Sequence, residues 1–240
     1  MRIDLVVLVG GLGTRLRSVT GEDIPKPMAM IYDKPFLYYL LSHMINQNPD
    51  IDKIILAAGY KNSVISQYFG DKFQGKRVIY SIEDHPLGTG GAIRKAIGFS
   101  NKEESMVING DGLSFIDFQK FTEDFQKNKS DIQIATYEIK KYDKRFDYLF
   151  TNINGKLESI GNMSPTDGPL YLNRGIYLLK SSVFDHSPND KFSFEKVTLR
   201  DNKLNIYTSN LSGEFFDIGI PRDFKKSKKL IKDKFIDLKN

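Results

Sequence analysis

The sequence predicts an α/β fold, with a mostly parallel central sheet first and a mixed sheet in the C-terminal half. From residue 3 to residue 139, short apolar runs alternate with amphipathic stretches of helical period. That alternation is typical of a parallel sheet whose two faces are covered by helices. After Lys140, short strand-like runs follow one another with turn residues between them, which indicates antiparallel pairing. A chain of 240 residues is long enough to bury a substantial core.

In the first half, apolar runs predict strands, and the stretches between them predict helices. The strands are expected at 3–9, 53–58, 77–82 and 105–109, and the helices at 36–48, 61–70 and 89–99. A helix at 117–128 and a strand at 131–139 are expected to continue the same pattern.

In the second half, Asn154-Gly155 predicts a tight turn between two strands within 148–161. Further strands are expected at 170–180, 205–210 and 214–219. Pro221 stands where helices commonly begin, and the apolar spacing after it predicts a helix over 222–236. No composition break or low-complexity linker divides the chain, so we expect a single domain over residues 1–240.

The composition excludes several classes of protein. The chain has no Cys, which excludes disulfides and thiolate metal sites and fits a reducing compartment. No stretch approaches the roughly 20 apolar residues of a membrane span. The apolar run near the N-terminus lacks a small-residue cleavage site, so we expect a buried strand rather than a signal peptide. A cytoplasmic protein with no membrane partner is therefore expected.

The formal net charge of +5 resides in the C-terminal segment, because residues 222–240 hold eight basic and three acidic residues. Nucleic-acid binding through this Lys-rich segment is one alternative. A solvated amphipathic helix is favoured, because the segment has apolar residues to bury and no aromatic stacking platform between the lysines. We expect no nucleic-acid partner.

Three glycines, Gly10, Gly11 and Gly13, directly follow the first predicted strand. Ligands of open α/β sheets bind beyond the carboxyl ends of the strands. Glycine there allows a close backbone approach, and successive N–H groups can hold phosphate oxygens. Arg15 adds a planar, charged fork that suits phosphate. Leu16 stands where a dinucleotide fingerprint needs Gly, and no Gly-Lys-Ser/Thr follows. The residues predict another kind of phosphate loop, with an ordinary strand-to-helix turn as the alternative.

Further polar residues follow other predicted strands. Lys26 lies between two prolines, which restrict the backbone on both sides of it. A second glycine-rich segment at 85–92 opens a predicted helix. Asp111 and Asp217 stand at the ends of strands. Such aspartates commonly form turns, but a carboxylate pair near phosphate is also a donor set that Mg²⁺ takes.

Taken together, six motifs resemble those of the sugar-1-phosphate nucleotidyltransferases. In chain order they are LVGGLGTRLR, PKPM, PLGTGGA, INGD, NRGIYLL and DIGIPRDF, and they lie between residues 5 and 224. The stretch YSIEDHPLGTGGAI is most similar to D-glycero-α-D-manno-heptose 1-phosphate guanylyltransferases. Mannose-1-phosphate guanylyltransferases and other hexose-1-phosphate nucleotidyltransferases are the alternatives.

The resemblance implies a Rossmann-like nucleotidyltransferase fold and a reaction. An NTP, with GTP favoured, and a sugar 1-phosphate give an NDP-sugar and pyrophosphate. The sugar phosphate attacks the α-phosphorus directly, so no protein nucleophile is needed, which suits a chain with no Cys and three His. The resemblance also assigns nucleotide binding to residues 1–140 and sugar binding to residues 141–240.

The resemblance gives the phosphate-binding residues their roles. The triphosphate would be wrapped by Gly10, Gly11, Gly13 and Thr14. Arg15 would neutralise the departing pyrophosphate, and Lys26 would bridge the α-phosphate and the sugar phosphate. Asp111 and Asp217 would hold Mg²⁺.

The base and the sugar have their own candidate residues. By resemblance, the base lies against Gly88 and Thr89. Guanine presents hydrogen-bond donors, so Glu83 is a candidate acceptor, with a surface carboxylate as the alternative. Asn173 and Glu195 are candidates for the sugar hydroxyls, and an exposed helix position is the alternative for Glu195.

One departure from the family concerns the sugar phosphate. Many relatives carry a Lys shortly before the strand that contains Asn173, whereas residues 158–171 contain no Lys or Arg. Arg174 is close in sequence, but on a strand it faces away from Asn173. Either another cation serves, or Lys26 and Mg²⁺ hold this phosphate.

The missing lysine motivates a second hypothesis, a nucleotide-binding sensor or catalytically silent subunit. Retention of Arg15, Lys26, Asp111 and Asp217 favours an enzyme, because a silent relative could lose them. The sequence leaves the oligomeric state open, with a homodimer as one alternative.

Overall fold

The computed structural model, which describes residues 2–162, 168–187 and 190–236, is organised around a ten-stranded mixed sheet. The strands of the described chain are β1 (Ile3–Leu8), β2 (Met30–Ile31), β3 (Lys34–Pro35), β4 (Ile51–Ala58), β5 (Lys72–Phe73), β6 (Lys76–Ile82), β7 (Glu104–Asn109), β8 (Gly112–Ser114), β9 (Ile132–Ile139), β10 (Tyr148–Thr151), β11 (Leu157–Gly161), β12 (Leu170–Lys180), β13 (Ile206–Asn210) and β14 (Phe215–Asp217). The α-helices are α1 (Arg17–Thr20), α2 (Phe36–Gln47), α3 (Asn62–Phe69), α4 (Gly88–Ile97), α5 (Phe118–Asn128) and α6 (Pro221–Ile231).

The parallel part of the sheet is built from the first half of the chain, as the sequence predicts. β1 lies between β4 and β7 and is parallel to both, and β6 lies parallel to β4 on its far side. The connections between these strands contain α2, α3 and α4. The predicted α/β fold class is confirmed.

The helix and strand expected at 117–128 and 131–139 are present as α5 and β9, but β9 does not pair directly with the parallel strands. β12 lies between β7 and β9 and is antiparallel to both. β9 pairs on its other side with β13, in parallel. β12 is long enough, at 11 residues, to pair with β9 along one edge and with β10 and then β7 along the other. Strand periodicity predicts that a strand exists, but it does not determine the neighbour with which that strand pairs.

The sheet has a hydrophobic core on each face. Leu5 and Val7 of β1 point into one core, which α2, α3, α5 and α6 cover, whereas Val6 points into the other, which α4 covers. This alternation follows from the two-residue period of a strand. In α6, Phe224 and Ile231 are buried while the lysines face solvent, so the helix is amphipathic as expected. Among the described helices, none combines the length and the hydropathy that crossing a bilayer requires.

A small antiparallel ribbon, made of β8 and β14, lies apart from the large sheet. β8 begins three residues after β7 ends, so the ribbon follows the carboxyl end of a central strand. In the ribbon, Phe215 pairs with Ser114, Phe216 with Leu113, and Asp217 with Gly112. The pairing brings two chain segments together that are about a hundred residues apart in the sequence.

Candidate active site

A cleft of about 570 Å³ opens beyond the carboxyl ends of β1, β4 and β7. Its volume lies in the range of small-molecule sites, and its position is the usual one in open α/β sheets. The predicted site residues that line it are Gly10, Gly11, Lys26, Glu83, Gly88, Thr89, Asp111 and Glu195. Five others lie outside its lining: Gly13, Thr14, Arg15, Asn173 and Asp217.

The first glycine loop folds back onto the segment that carries Lys26. Gly13 has a φ of 60°, in the left-handed region that glycine adopts without strain. A Cβ built on it would lie only 2.8 Å from Cβ of Lys26, so a larger residue would push the two segments apart. The loop then enters a short 3-10 turn over Thr14–Leu16, and Arg15 in that turn is exposed.

Lys26 points into the cleft. Pro25 is extended, with φ −66° and ψ 146°, and Pro27 occupies the first turn of the 3-10 helix Lys26–Met28. The Lys26 side chain is only 16% exposed, and its Nζ donates to Oδ2 of Asp111. The two prolines therefore hold an ammonium group against a carboxylate in the cleft wall.

Asp111 and Asp217 lie on adjoining parts of the β8–β14 ribbon. The N–H of Ile218 donates to the carbonyl oxygen of Asp111 at 2.9 Å, just beyond the last pair of the ribbon. Oδ1 of Asp217 accepts from the N–H of Gly219 at 2.7 Å. A Cβ built on Gly219 would lie 2.9 Å from Oδ1 of Asp217 and 3.9 Å from Nη2 of Arg15. Asp217 and Arg15 thus flank the same glycine.

The two aspartates fit a divalent metal by the chemistry of their donors. Mg²⁺ takes one or two carboxylates and completes its coordination with phosphate oxygens and water. The ribbon pairing brings the backbones of Asp111 and Asp217 side by side, and Asp111 already faces the cleft. Within the described residues, no group of three or more His, Cys, Asp or Glu gathers at one point. Such a pair leaves coordination positions for phosphate.

Glu83 packs against the first glycine loop. It follows β6 and is half-buried, and its Oε2 accepts from the N–H of Leu87 at 2.9 Å. A Cβ built on Gly10 would lie 3.1 Å from Oε1 of Glu83. The absence of a side chain at Gly10 therefore lets the carboxylate lie beside the loop and face the cleft.

The start of α4 is fastened to the segment around Glu195. Gly88 has a φ of 71°, and a Cβ on it would lie 2.5 Å from the carbonyl oxygen of Phe192. The Thr89 hydroxyl donates to Oε2 of Glu195 at 2.7 Å, and the Ser193 hydroxyl donates to the same oxygen at 2.9 Å. Glu195 lies in a turn rather than on an exposed helix, and its Oε1 accepts no hydrogen bond from the described residues.

Asn173 does not line the cleft. Its Nδ2 donates to the Tyr177 hydroxyl at 2.8 Å, and its Oδ1 accepts from the N–H of Gly175 at 2.7 Å. Burial raises the pKa of Tyr177, and the charge of Glu195 raises it further. Both ends of the Asn173 amide are therefore engaged within the protein. Arg174 is buried and does not line the cleft, so it is not the missing sugar-side cation. Residues 163–167 of the segment that lacks a lysine lie outside the described residues.

Several residues of the cleft lining were absent from the sequence-based candidates, and three of these carry a polar ring or an amide. They are Tyr60, His85 and Asn109. Tyr60 and Asn109 stand at or just beyond the carboxyl ends of β4 and β7, and His85 stands at the start of the second glycine segment. The rule that ligands bind beyond the carboxyl ends of parallel strands would have selected Tyr60 and Asn109.

Comparison with known proteins identifies the family. The family model described as Nucleotidyl transferase matches residues 5–231. The chain belongs to this family. The resemblance inferred from the six motifs is therefore confirmed, and the protein is a nucleotidyltransferase. Enzymes of this family generally use a divalent metal ion.

Individual relatives cover nearly the whole chain. A D-glycero-α-D-manno-heptose 1-phosphate guanylyltransferase of Aneurinibacillus thermoaerophilus is 38% identical, over 95% of this chain and 97% of that protein. One from Campylobacter jejuni is 40% identical, over 91% and 96%. Among solved structures, HddC from Yersinia pseudotuberculosis is 37% identical with a TM-score of 0.82, covering 95% of this chain and 99% of HddC. HddC has also been solved in complex with GMP-PN, with a TM-score of 0.81.

Proposed function

We propose that this protein transfers the guanylyl group of GTP to D-glycero-α-D-manno-heptose 1-phosphate, forming the GDP-heptose and pyrophosphate. The proposed nucleotide and sugar specificity rests on two relatives of this named activity. They match this chain at 38% and 40% identity, over more than 90% of both chains. A mannose-1-phosphate guanylyltransferase of Mycobacterium tuberculosis is 33% identical, and the match spans only 63% of that protein. The GMP-PN complex of HddC supports a guanine nucleotide.

The reaction is a direct displacement at phosphorus. An oxygen of the sugar phosphate forms a bond to the α-phosphorus of GTP while the bond from that phosphorus to the β-phosphate oxygen breaks. Pyrophosphate leaves with the electron pair of the broken bond. Such a step needs positioning and charge neutralisation more than covalent catalysis by the protein.

The phosphate-binding side of the cleft supplies that positioning. The backbone N–H groups of the loop that contains Gly10, Gly11, Gly13 and Thr14 bind the triphosphate. Arg15 neutralises the departing pyrophosphate, and its exposed position in the turn directly after the glycine loop supports this role. Lys26 bridges the α-phosphate and the sugar phosphate, and its position at the cleft wall beside Asp111 supports that role.

Asp111 and Asp217 are the residues that would hold Mg²⁺. When bound, the ion neutralises phosphate oxygens and orients the two substrates. The carboxylate of Asp111 also keeps Lys26 in the cleft until phosphate arrives. Asp111 therefore helps to set both the metal position and the position of the lysine.

The remaining candidate residues are assigned to the base of the nucleotide and to the sugar. Glu83 accepts hydrogen bonds from guanine, whose base lies against Gly88 and Thr89. Glu195 contacts the sugar hydroxyls through Oε1, because Thr89 and Ser193 hold its other oxygen. Asn173 stays a predicted sugar-side residue.

The positions of these residues in the chain support a nucleotide-binding half at 1–140 and a sugar-binding half at 141–240. Lys26, Glu83 and Asp111 come from the first half, and Glu195 comes from the second. Asp217 also comes from the second half, so the metal pair joins the two. The homodimer and the cytoplasmic location stay predictions.

The experiment is a pyrophosphate-release assay with Mg²⁺, run over GTP, CTP, dTTP and UTP and over a panel of sugar 1-phosphates. GTP with the manno-configured heptose 1-phosphate is expected to be the fastest pair. Faster turnover of mannose 1-phosphate would support the alternative sugar. Silence across the whole panel would contradict an enzymatic function, and tight NTP binding without release would favour the sensor or silent-subunit hypothesis.

A further inference from the structure

Arg174 is a buried cation that lies outside the proposed chemistry. It is 3% exposed, and within the described residues no carboxylate forms an ion pair with it. Burial lowers its pKa, which reflects the cost of taking a charge out of water. A buried guanidinium that no carboxylate neutralises needs an explanation.

The hydrogen bonds of Arg174 join three segments that are distant in the sequence. Its Nε donates to the carbonyl oxygen of Thr136 on β9 at 3.1 Å. Its Nη1 donates to the Ser114 hydroxyl on β8 at 2.7 Å. Its Nη2 donates to the carbonyl oxygens of Leu211 and Gly213, before β14, at 2.8 and 3.0 Å. One planar group therefore ties β8 and the segment that leads into β14 to the large sheet.

Aromatic contacts strengthen the same connection. The guanidinium carbon lies 5.2 Å from the ring centre of Tyr137 on β9 and 5.8 Å from that of Phe215 on β14. The two rings are themselves 5.2 Å apart. Phe215 pairs with Ser114, so Arg174 contacts both members of the first residue pair of the ribbon.

The ribbon needs such support because it is short. It has only three residue pairs, and isolated two-stranded ribbons are marginally stable in water. Its far end carries Asp217, opposite Gly112, and Asp111 stands next to Gly112. A shift of the ribbon relative to the sheet would move both carboxylates.

We propose that Arg174 is a positioning residue, which holds the β8–β14 ribbon so that Asp111 and Asp217 present their carboxylates to one divalent metal ion. The inference rests on the proposed function, in which these aspartates hold the metal. Arginine suits the role because its planar fork reaches several acceptors at fixed angles, whereas lysine offers a single ammonium centre.

The test measures metal binding directly. Mn²⁺ is titrated into the full-length protein with GTP, and free Mn²⁺ is followed by electron paramagnetic resonance. Arg174→Lys is expected to weaken Mn²⁺ binding about 10- to 100-fold, the usual effect of removing a partner that orients metal ligands. GTP binding in EDTA, followed with a fluorescent analogue, is expected to change less than about threefold, because the glycine loop is untouched.

Leu179→Ala is the matched control. Leu179 is fully buried on the same strand and belongs to the core on the other face of the sheet, which contains no ribbon residue, so its truncation destabilises β12 without touching the ribbon contacts. This control should lower the melting temperature and leave Mn²⁺ affinity within about threefold of the wild type. Equal Mn²⁺ affinities in Arg174→Lys and wild type, or equal weakening in both variants, would overturn the inference.

Ser114→Ala keeps the inference testable if Arg174→Lys does not fold. It removes one acceptor of the guanidinium and retains the other three, so it should weaken Mn²⁺ binding by a smaller, measurable factor. Wild-type Mn²⁺ affinity in Ser114→Ala would then count against the inference. A wild-type protein that binds Mn²⁺ and GTP but releases no pyrophosphate would contradict the proposed function and leave the positioning role standing.

Discussion

Replacing Lys26 by Met separates the catalytic role of its ammonium group from any role in stability. The side chains of Lys26 and Asp111 are 16% and 31% exposed, so their ion pair is partly solvated by the open cleft. Loss of such a pair should lower the free energy of unfolding by about 1 kcal/mol. In a protein of this size, that corresponds to a fall of about 2–4 °C in melting temperature. Met preserves the apolar length of the lysine stem.

The effect on turnover should be far larger. The ammonium is proposed to stabilise charge that develops between the α-phosphate and the sugar phosphate. Loss of one such preorganised donor typically lowers kcat about 10²- to 10³-fold. Steady-state pyrophosphate release at saturating GTP and Mg²⁺ measures kcat, and a thermal melt of the same preparation measures stability.

Lys34→Met is the control for charge removal alone. The Lys34 side chain is 40% exposed, and its Nζ lies 3.7 Å from Oδ2 of Asp33. Lys34 is not part of the cleft lining. The kcat of Lys34→Met should match that of the wild type. A Lys26→Met enzyme with kcat within about threefold of the wild type would refute the reasoning, as would a loss of activity that merely follows a loss of folded protein.

Four further predictions concern the cleft and its glycines. Gly11→Ala should leave stability unchanged and raise the KM for GTP about tenfold, because its Cβ would meet nothing within 4 Å of the protein itself; a normal KM would remove Gly11 from the phosphate site. Asp217→Asn should raise the Mg²⁺ concentration for half-maximal activity at least about tenfold, and an unchanged Mg²⁺ titration would exclude Asp217 as a ligand. Glu83→Gln should raise the KM for GTP about 10-fold or more and leave that for UTP nearly unchanged, because the lost acceptor faces guanine donors; parallel changes for both nucleotides would contradict this. Gly88→Ala should destabilise by about 2–4 kcal/mol in a urea titration, through positive φ and a clash at 2.5 Å with a backbone carbonyl oxygen; Gly70→Ala, with φ +59° and open space around its Cβ, should cost only about 1 kcal/mol.

Local features of the fold were predictable from local pattern. The helix expected at 36–48 runs from Phe36 to Gln47, because its apolar residues repeat with helical period. The turn at Asn154-Gly155 joins β10 and β11, with Gly155 at φ 79° as such turns require. Each signal is contained in a short stretch of the sequence, so it can be recognised without knowledge of the tertiary structure.

Long-range pairing was not predictable in the same way. β9 has the alternation of a strand, but its place beside β12 depends on contacts between segments that are far apart in sequence. β8 is only three residues long, and it becomes a strand by pairing with Phe215–Asp217. The short strands β2, β3 and β5 carry equally little periodicity.

In the candidate site, too, features set by local sequence were predictable, and features that depend on long-range contacts were not. The glycine loop and Lys26 could be selected from sequence because Gly and Pro impose recognisable backbone restrictions. The hydrogen bond between Thr89 and Glu195 joins residues 106 positions apart, so no local pattern indicates it. The burial of Arg174 is equally invisible in sequence, because a lone arginine on a strand is usually solvent-exposed.

The central claim is that one triphosphate and one metal ion meet at the rim of the sheet, between the first glycine loop, Lys26 and the two aspartates. A crystal structure with Mn²⁺ and a non-hydrolysable GTP analogue, phased with the anomalous signal of manganese, measures this directly. The account predicts an anomalous peak coordinated by both Asp111 and Asp217, with Nζ of Lys26 in hydrogen-bonding distance of the α-phosphate. A metal bound without either aspartate, or a triphosphate seated away from the loop that contains Gly10 and Gly11, would contradict it.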